Sequence, residues 1–145
     1  MFRRTILSSV AAIALSAVAL PLAAQDTLRI GVEGAYPPFS SKESDGTLIG
    51  FDIDIAKALC AEMQRECELV EQEWDGMIPA LKARKFDAIV ASMSITEERK
   101  RQIDFSDKYY KTPARLVASK DADFEGTPEG LAGKRIGVQR GATHQ

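Results

Sequence analysis

The chain is 145 residues long, 45% hydrophobic and 28% charged, with 19 basic and 21 acidic residues and a formal net charge of −2. That balance excludes the basic excess that a nucleic-acid surface requires, and no low-complexity segment or short-period repeat is present. With 1 His and 2 Cys, the chain lacks the ligand set of a metal site, and no motif implies a cofactor.

The chain opens on Met1, Phe2, Arg3 and Arg4, continues uncharged and mainly apolar from Thr5 to Leu20, and then reads Pro21, Leu22, Ala23 and Ala24. Basic start, apolar middle and small residues at the cut are the order of a secretory signal peptide, here residues 1–24. The apolar run falls short of the roughly 20 residues that a membrane span needs. Without Arg3 and Arg4, the remaining part carries 17 basic against 21 acidic residues and suffices for one modest core. It stops at Gln145 without a closing helix or strand, so a longer parent chain is expected.

Thr27 to Val32 is predicted as a strand, and Glu33 to Ser41, with Gly34, Pro37 and Pro38, as a loop at the strand end where α/β folds place ligands. From Phe51, the apolar residues Phe51, Ile55, Ala58, Leu59 and Met63 recur at helical spacing and predict a buried stripe, with Asp54, Lys57 and Glu62 in water. In an exported chain Cys60 and Cys67 are expected to close a disulfide, two free buried thiols being the alternative. One continuous helix would hold them about 10.5 Å apart along its axis, beyond the roughly 7 Å reach of a bridge. A disulfide therefore requires the helix to stop near Glu62 to Arg65.

Cys67 to Trp74 reads as a second strand, Met77 to Lys85 as a helix with Pro79 in its first turn, and Phe86 to Ala91 as a third strand. The β-α-β-α-β alternation predicts a mixed or parallel sheet covered on both faces. Thr96 is placed as an N-cap, with Glu97 and Glu98 in a first turn where acids are favoured. Beyond it, Arg115 to Ser119 and Lys134 to Val138 are strand-like, and Asp121 to Gly130 is a polar loop. Arg29-Ile30-Gly31-Val32 returns as Arg135-Ile136-Gly137-Val138, each followed within a few residues by Gly-Ala. Either two lobes open on the same strand, or four residues recur by chance.

In order, Gly50-Phe51-Asp52-Ile53-Asp54-Ile55, Trp74-Asp75-Gly76-Met77-Ile78-Pro79-Ala80-Leu81, Phe86-Asp87-Ala88-Ile89, Ser94-Ile95-Thr96-Glu97-Glu98-Arg99 and Asp104-Phe105-Ser106 form a connected series. Over residues 27–145 it resembles the periplasmic polar amino-acid-binding proteins of ABC importers, of the lysine/arginine/ornithine- and histidine-binding type. The resemblance implies the type II periplasmic-binding-protein fold, two α/β lobes closing on a ligand across a hinge. Residues 25–112 would be most of lobe one, and residues 113–145 the hinge strand and the start of lobe two. It also implies a monomer in the periplasm that delivers a polar, cationic L-amino acid (lysine, arginine, ornithine, histidine or a related opine) to a membrane permease.

An amino-acid ligand brings a carboxylate and an ammonium out of water, and each must find a partner. Arg99 can offer the carboxylate a two-pronged fork, with Ser92, Ser94 and the amides near Thr96 beside it at a helix start suited to anions. The family's matching arginine holds the ligand carboxylate. Tyr36 and Trp74 match the two family positions that sandwich the ligand side chain, where a cation gains about 0.5 to 2 kcal/mol. Glu33 matches the acid that meets the distal cation, and Thr143, expected in the first turn of a lobe-two helix, matches a residue that caps the ligand. Ala91, Ala142 and His144 depart from the serines and glutamine common there, which bears on ligand preference. The acid that grips the α-ammonium would lie beyond Gln145.

Two other readings share the fold. A periplasmic dehydratase of the cyclohexadienyl or arogenate type needs an acid or histidine over its substrate, and Glu33 is the one candidate the sequence offers; no Ser or Cys has a His partner for nucleophilic catalysis. A sensor ectodomain would need a signalling or membrane segment further on. A non-enzymatic binding protein is the expectation.

Overall fold

The computed structural model describes residues 27–144, so the expected signal peptide lies outside the described residues. Strand β1 (Leu28–Val32) is the centre of a three-stranded parallel sheet in the order β5-β1-β6, with β5 at Cys67–Glu71 and β6 at Ala88–Ile89. Helix α1 (Phe51–Glu62) connects β1 to β5, and α2 (Met77–Lys82) connects β5 to β6, the crossovers that parallel neighbours require. The alternation legible in the sequence thus gives a parallel α/β lobe.

Two clusters form the core. Ile30, Val32, Ile53, Ala56, Cys60 and Val90 pack between the sheet and α1, while Met77, Ala80, Phe86 and Ala91 pack on the side of α2. Gly31 separates them at a point where a Cβ would lie 2.6 Å from the Phe86 ring.

The α1 face is not the one its apolar spacing predicts. Asp52, Ile53, Ala56 and Cys60 are the buried residues, whereas Phe51, Leu59 and Met63 stay 40–48% exposed. Asp52 takes a core position because its carboxylate finds hydroxyl partners there, and Cys60 because its sulfur is bonded to Cys67. Tertiary pairing has overridden side-chain hydropathy.

The Cys60–Cys67 disulfide is present, with Cα atoms 6.1 Å apart. The helix ends where the bridge requires it: Gln64 enters the left-handed region at φ 53°, its N–H donates to Ala61 O, and the Arg65 N–H donates to Cys60 O. This is a Schellman motif without its usual glycine. The end of α2 repeats it, with Arg84 at φ 57° and the Lys85 N–H donating to Ala80 O, which is why that helix stops at Lys82 rather than at the predicted Lys85.

Other boundaries differ too. The predicted loop 33–41 contains strands β2 (Ala35–Tyr36) and β3 (Ser40–Lys42), which pair with β4 (Leu48–Ile49) in a small antiparallel sheet. Trp74 opens a 3₁₀ turn (Trp74–Gly76) after β5 instead of ending a strand. Thr96 caps the short helix α3 (Glu97–Lys100) as expected, its hydroxyl accepting from the Arg99 N–H.

Past residue 110, the strands expected at 115–119 and 134–138 do not form. Among the described residues their apolar side chains have no sheet to join: Val117 is 93% exposed, and Ile136 and Val138 about half. The repeated tetrapeptide is therefore a strand in its first copy alone. The predicted polar loop instead contains helix α4 (Pro128–Leu131), capped by Thr127 with Pro128 at its first position. Thr143 lies in a turn rather than a helix. Among the described residues no helix is long and apolar enough to cross a membrane.

Candidate functional site

The site lies beyond the carboxyl ends of the parallel strands, where open α/β sheets place ligands. Capping by Thr96 fixes the start of α3 and turns the Arg99 side chain back beneath the preceding loop. Its Nη1 donates to Ser94 O at 2.9 Å and its Nη2 to Gly141 O at 2.8 Å, and its Cζ stands 5.3 Å from the centre of the Trp74 ring. That is cation–π distance.

Arg99 is 8% exposed. Burial pulls its pKa down, an effect the exposed Glu98 carboxylate partly offsets. Among the described residues, no carboxylate reaches its guanidinium within ion-pair distance, so a buried cation rests on two neutral carbonyls and an aromatic face. A cavity of about 670 Å³ opens beside it, lined by Trp74, Thr96, Arg99 and Thr143 with apolar Ile78 and Met93.

The turn 139–143 closes one side of this cavity through three side-chain contacts. Besides the Arg99 bond to Gly141, Gln139 Nε2 donates to Glu33 Oε1 at 2.7 Å, and Arg140 Nη2 meets Asp75 Oδ2 at 2.6 Å. Glu33 follows β1 and is 5% exposed. Desolvation raises its pKa, and the hydrogen bond from Gln139 works against that rise.

Of the residues expected from the sequence, Trp74, Arg99 and Thr143 line one cavity, and Ser94 joins them through its carbonyl. Glu33 connects to the same region through Gln139. Tyr36 is not among the residues that line this cavity with Trp74. Tyr36 instead stacks on Phe39, which stacks in turn on Tyr110, both at 5.2 Å between ring centres. The loop that carries Tyr36 is seated on α1: Pro38 O and Phe39 O accept from the Phe51 and Asp52 N–H groups. Gly50, at φ 122°, is needed there, because a Cβ would meet Phe39 O at 2.5 Å.

Ser92 sits at φ 52° with its hydroxyl turned to Asp52 rather than to the cavity. Gln139, Asp52 and Tyr109 are the polar residues that sequence reasoning missed. Gln139 directly follows the repeated tetrapeptide, and Asp52 lies in the recognisable Gly-Phe-Asp run, but neither position announces its partner. Among the described residues no cluster of acids, His and Cys could hold a metal.

An α/β lobe with a buried cation, an aromatic face and hydroxyls at its strand ends is the architecture of a small-solute-binding domain. Residues 28–142 match the bacterial extracellular solute-binding proteins, family 3, and the chain belongs to that family. It is 56% identical over 138 residues to the L-arginine-binding protein of Pseudomonas aeruginosa, covering 94% of this chain and 53% of that one. To the histidine-binding periplasmic protein of Escherichia coli K12 it is 48% identical over 130 residues, 90% of this chain and 50% of that one. The chain thus spans about half the length of the curated relatives it matches.

Among solved structures, a mutant of arginine-bound ArgBP from T. maritima aligns at TM-score 0.75 and 39% identity, over 81% of this chain and 55% of that one. An ancestral amino-acid-binding protein, described as a precursor of cyclohexadienyl dehydratase, aligns at TM-score 0.56 and 51% identity, over 58% of this chain and 37% of that one. The fold is thus that of the periplasmic binding proteins.

Proposed function

We propose that the protein is an extracytoplasmic, periplasmic solute-binding protein that captures a cationic L-amino acid and hands it to the permease of an ABC importer, acting as a monomer. The observation that carries this reading is Arg99, a buried guanidinium without a carboxylate partner among the described residues, set over Trp74 at a cavity large enough for an amino acid. A ligand carboxylate would supply the missing anion through two parallel N–H···O bonds, replacing Ser94 O and Gly141 O as acceptors. Ser94 and Thr143 flank that carboxylate, and Tyr36 and Trp74 supply the aromatic surfaces for the ligand side chain. Ser92 stands beside them.

Glu33 is the partner for the ligand's distal cation. Burial raises the cost of its charge, and a guanidinium or ammonium next to it relieves that cost. Relatives named for arginine, histidine and lysine/arginine/ornithine binding support a cationic ligand. They also support binding over dehydration.

The test is calorimetric titration of the protein and of Glu33→Gln with arginine, lysine, ornithine, histidine and glutamine. Glu33→Gln should weaken the cationic ligands at least tenfold relative to glutamine, in line with a lost hydrogen bond to a charged group. Equal losses for neutral and cationic ligands would remove Glu33 from the proposed role. Turnover of prephenate or arogenate by the unmodified protein would replace the binding role by the dehydratase one.

A further inference from the structure

Three side-chain contacts tie the turn 139–143 to the parallel lobe: Arg99 Nη2 to Gly141 O, Gln139 Nε2 to Glu33 Oε1, and Arg140 Nη2 to Asp75 Oδ2 at 2.6 Å. The turn rests against the indole of Trp74, since a Cβ on Gly141 would stand 3.8 Å from that ring. Gly141, Ala142 and Thr143 line the cavity from the turn, and Trp74 and Asp75 line it from the 3₁₀ turn after β5. The Arg140–Asp75 ion pair therefore joins two walls of one cavity.

The three contacts differ in what an incoming ligand does to them. A carboxylate arriving on Arg99 takes the guanidinium from Gly141 O, and a distal cation arriving on Glu33 takes the carboxylate that Gln139 holds. Each exchange trades a hydrogen bond of the turn for one of the ligand. Arg140 and Asp75 are assigned to neither end of the ligand, so their pair can persist through both exchanges. Without it, the turn would be loosened just when Thr143 is needed over the ligand.

We propose that Arg140 and Asp75 are positioning residues for ligand retention, a clasp that keeps the turn 139–143 over the occupied cavity. The proposal rests on the reading that the cavity takes an amino acid. The two side chains are 82% and 43% exposed, so water and salt weaken the pair, and its loss should speed ligand release about two- to fivefold. The effect falls mainly on release, where most differences between variants of one binding site reside.

The experiment measures L-arginine binding to and release from the full-length protein by stopped-flow fluorescence, which Trp74 reports because it borders both the cavity and the turn. Arg140→Gln and Asp75→Asn should each release arginine faster by about two- to fivefold, and the double variant should be no faster than either single one. Exchanging the charges, Arg140→Asp with Asp75→Arg, should release more slowly than either reversal alone. The gap between the unmodified protein and Arg140→Gln should narrow as salt rises from about 0.01 M to about 1 M.

Unchanged release in a folded Arg140→Gln would overturn the proposal, as would additive effects of the two neutral substitutions. Tighter arginine binding by Arg140→Gln would overturn it differently, making Arg140 a stand-in that the ligand's cation must displace from Asp75. If Asp75→Asn does not fold, Arg140→Gln decides alone, faster release supporting the clasp and unchanged release removing it. Failure of the underlying reading shows separately in the unmodified protein, which would then bind none of the twenty amino acids and overturn both.

Discussion

Arg99→Lys is the substitution that most directly tests the site. The side chain is buried, its two terminal nitrogens each hold a carbonyl, and its plane lies over Trp74. Lysine keeps the positive charge but not the planar fork, so it can present one good bond to a carboxylate where arginine presents two. A hydrogen bond to a charged group is worth about 1.5–3 kcal/mol. Losing one bond therefore weakens binding roughly tenfold to a hundredfold. Arg99→Ala loses both, about 3–6 kcal/mol, or roughly a hundredfold to ten-thousandfold. Titration calorimetry against cationic and neutral amino acids reads the effect. The same factor is expected for every ligand, because the α-carboxylate is common to all of them. Thermal melts without ligand check that the variants fold, since either change disturbs the Ser94 and Gly141 carbonyls. An affinity for arginine within about threefold of the unmodified protein in a folded Arg99→Ala would refute the assignment, because the loss of even one charged bond exceeds that margin.

Reducing the Cys60–Cys67 disulfide, which spans a sequence separation of 7, should cost about 2.5 kcal/mol by loop-closure entropy and lower Tm by roughly 10 °C. Melts with and without reductant, and of Cys60→Ser/Cys67→Ser, measure it; a shift of under about 2 °C would mean that the helix-ending motif alone holds this turn. Because desolvation raises the Glu33 pKa in the folded state, the folded protein keeps this proton to higher pH than the unfolded chain does. The associated stability is fully present below the ordinary glutamate range and is lost as pH rises through the folded pKa. Glu33→Gln, which stays neutral, should therefore show a higher urea midpoint than the unmodified protein at pH 8, with the gap closing near pH 4; a gap of equal size at both pH values would remove desolvation as its cause.

The starts of α1, α2 and α3 and the strand–helix alternation were legible because local chemistry sets them. Thr96 followed by two acids marks the beginning of α3, and β-branched runs spaced by helical segments mark a parallel sheet. Helix ends were less so. Gln64 and Arg84 take left-handed positions that glycine usually announces, so the stops were unmarked, except where the two cysteines required one. Strands at 115–119 and 134–138 were read from their apolar residues, but a strand is held by its neighbours, and among the described residues those segments have none to pair with.

The α1 misreading has a physical source. Periodicity ranks residues by hydropathy and leaves Asp52 out of the apolar stripe, yet a carboxylate that receives two hydroxyl protons can be buried at modest cost, and the buried face of the helix then turns to include it. Once Asp52 is inside, the Ser92 proton is spoken for. Composition and motif can say which groups a site contains, and Arg99 and Trp74 were found that way. Which way a hydroxyl points is decided by a partner 40 residues away in sequence, and that pairing exists only once the chain has folded.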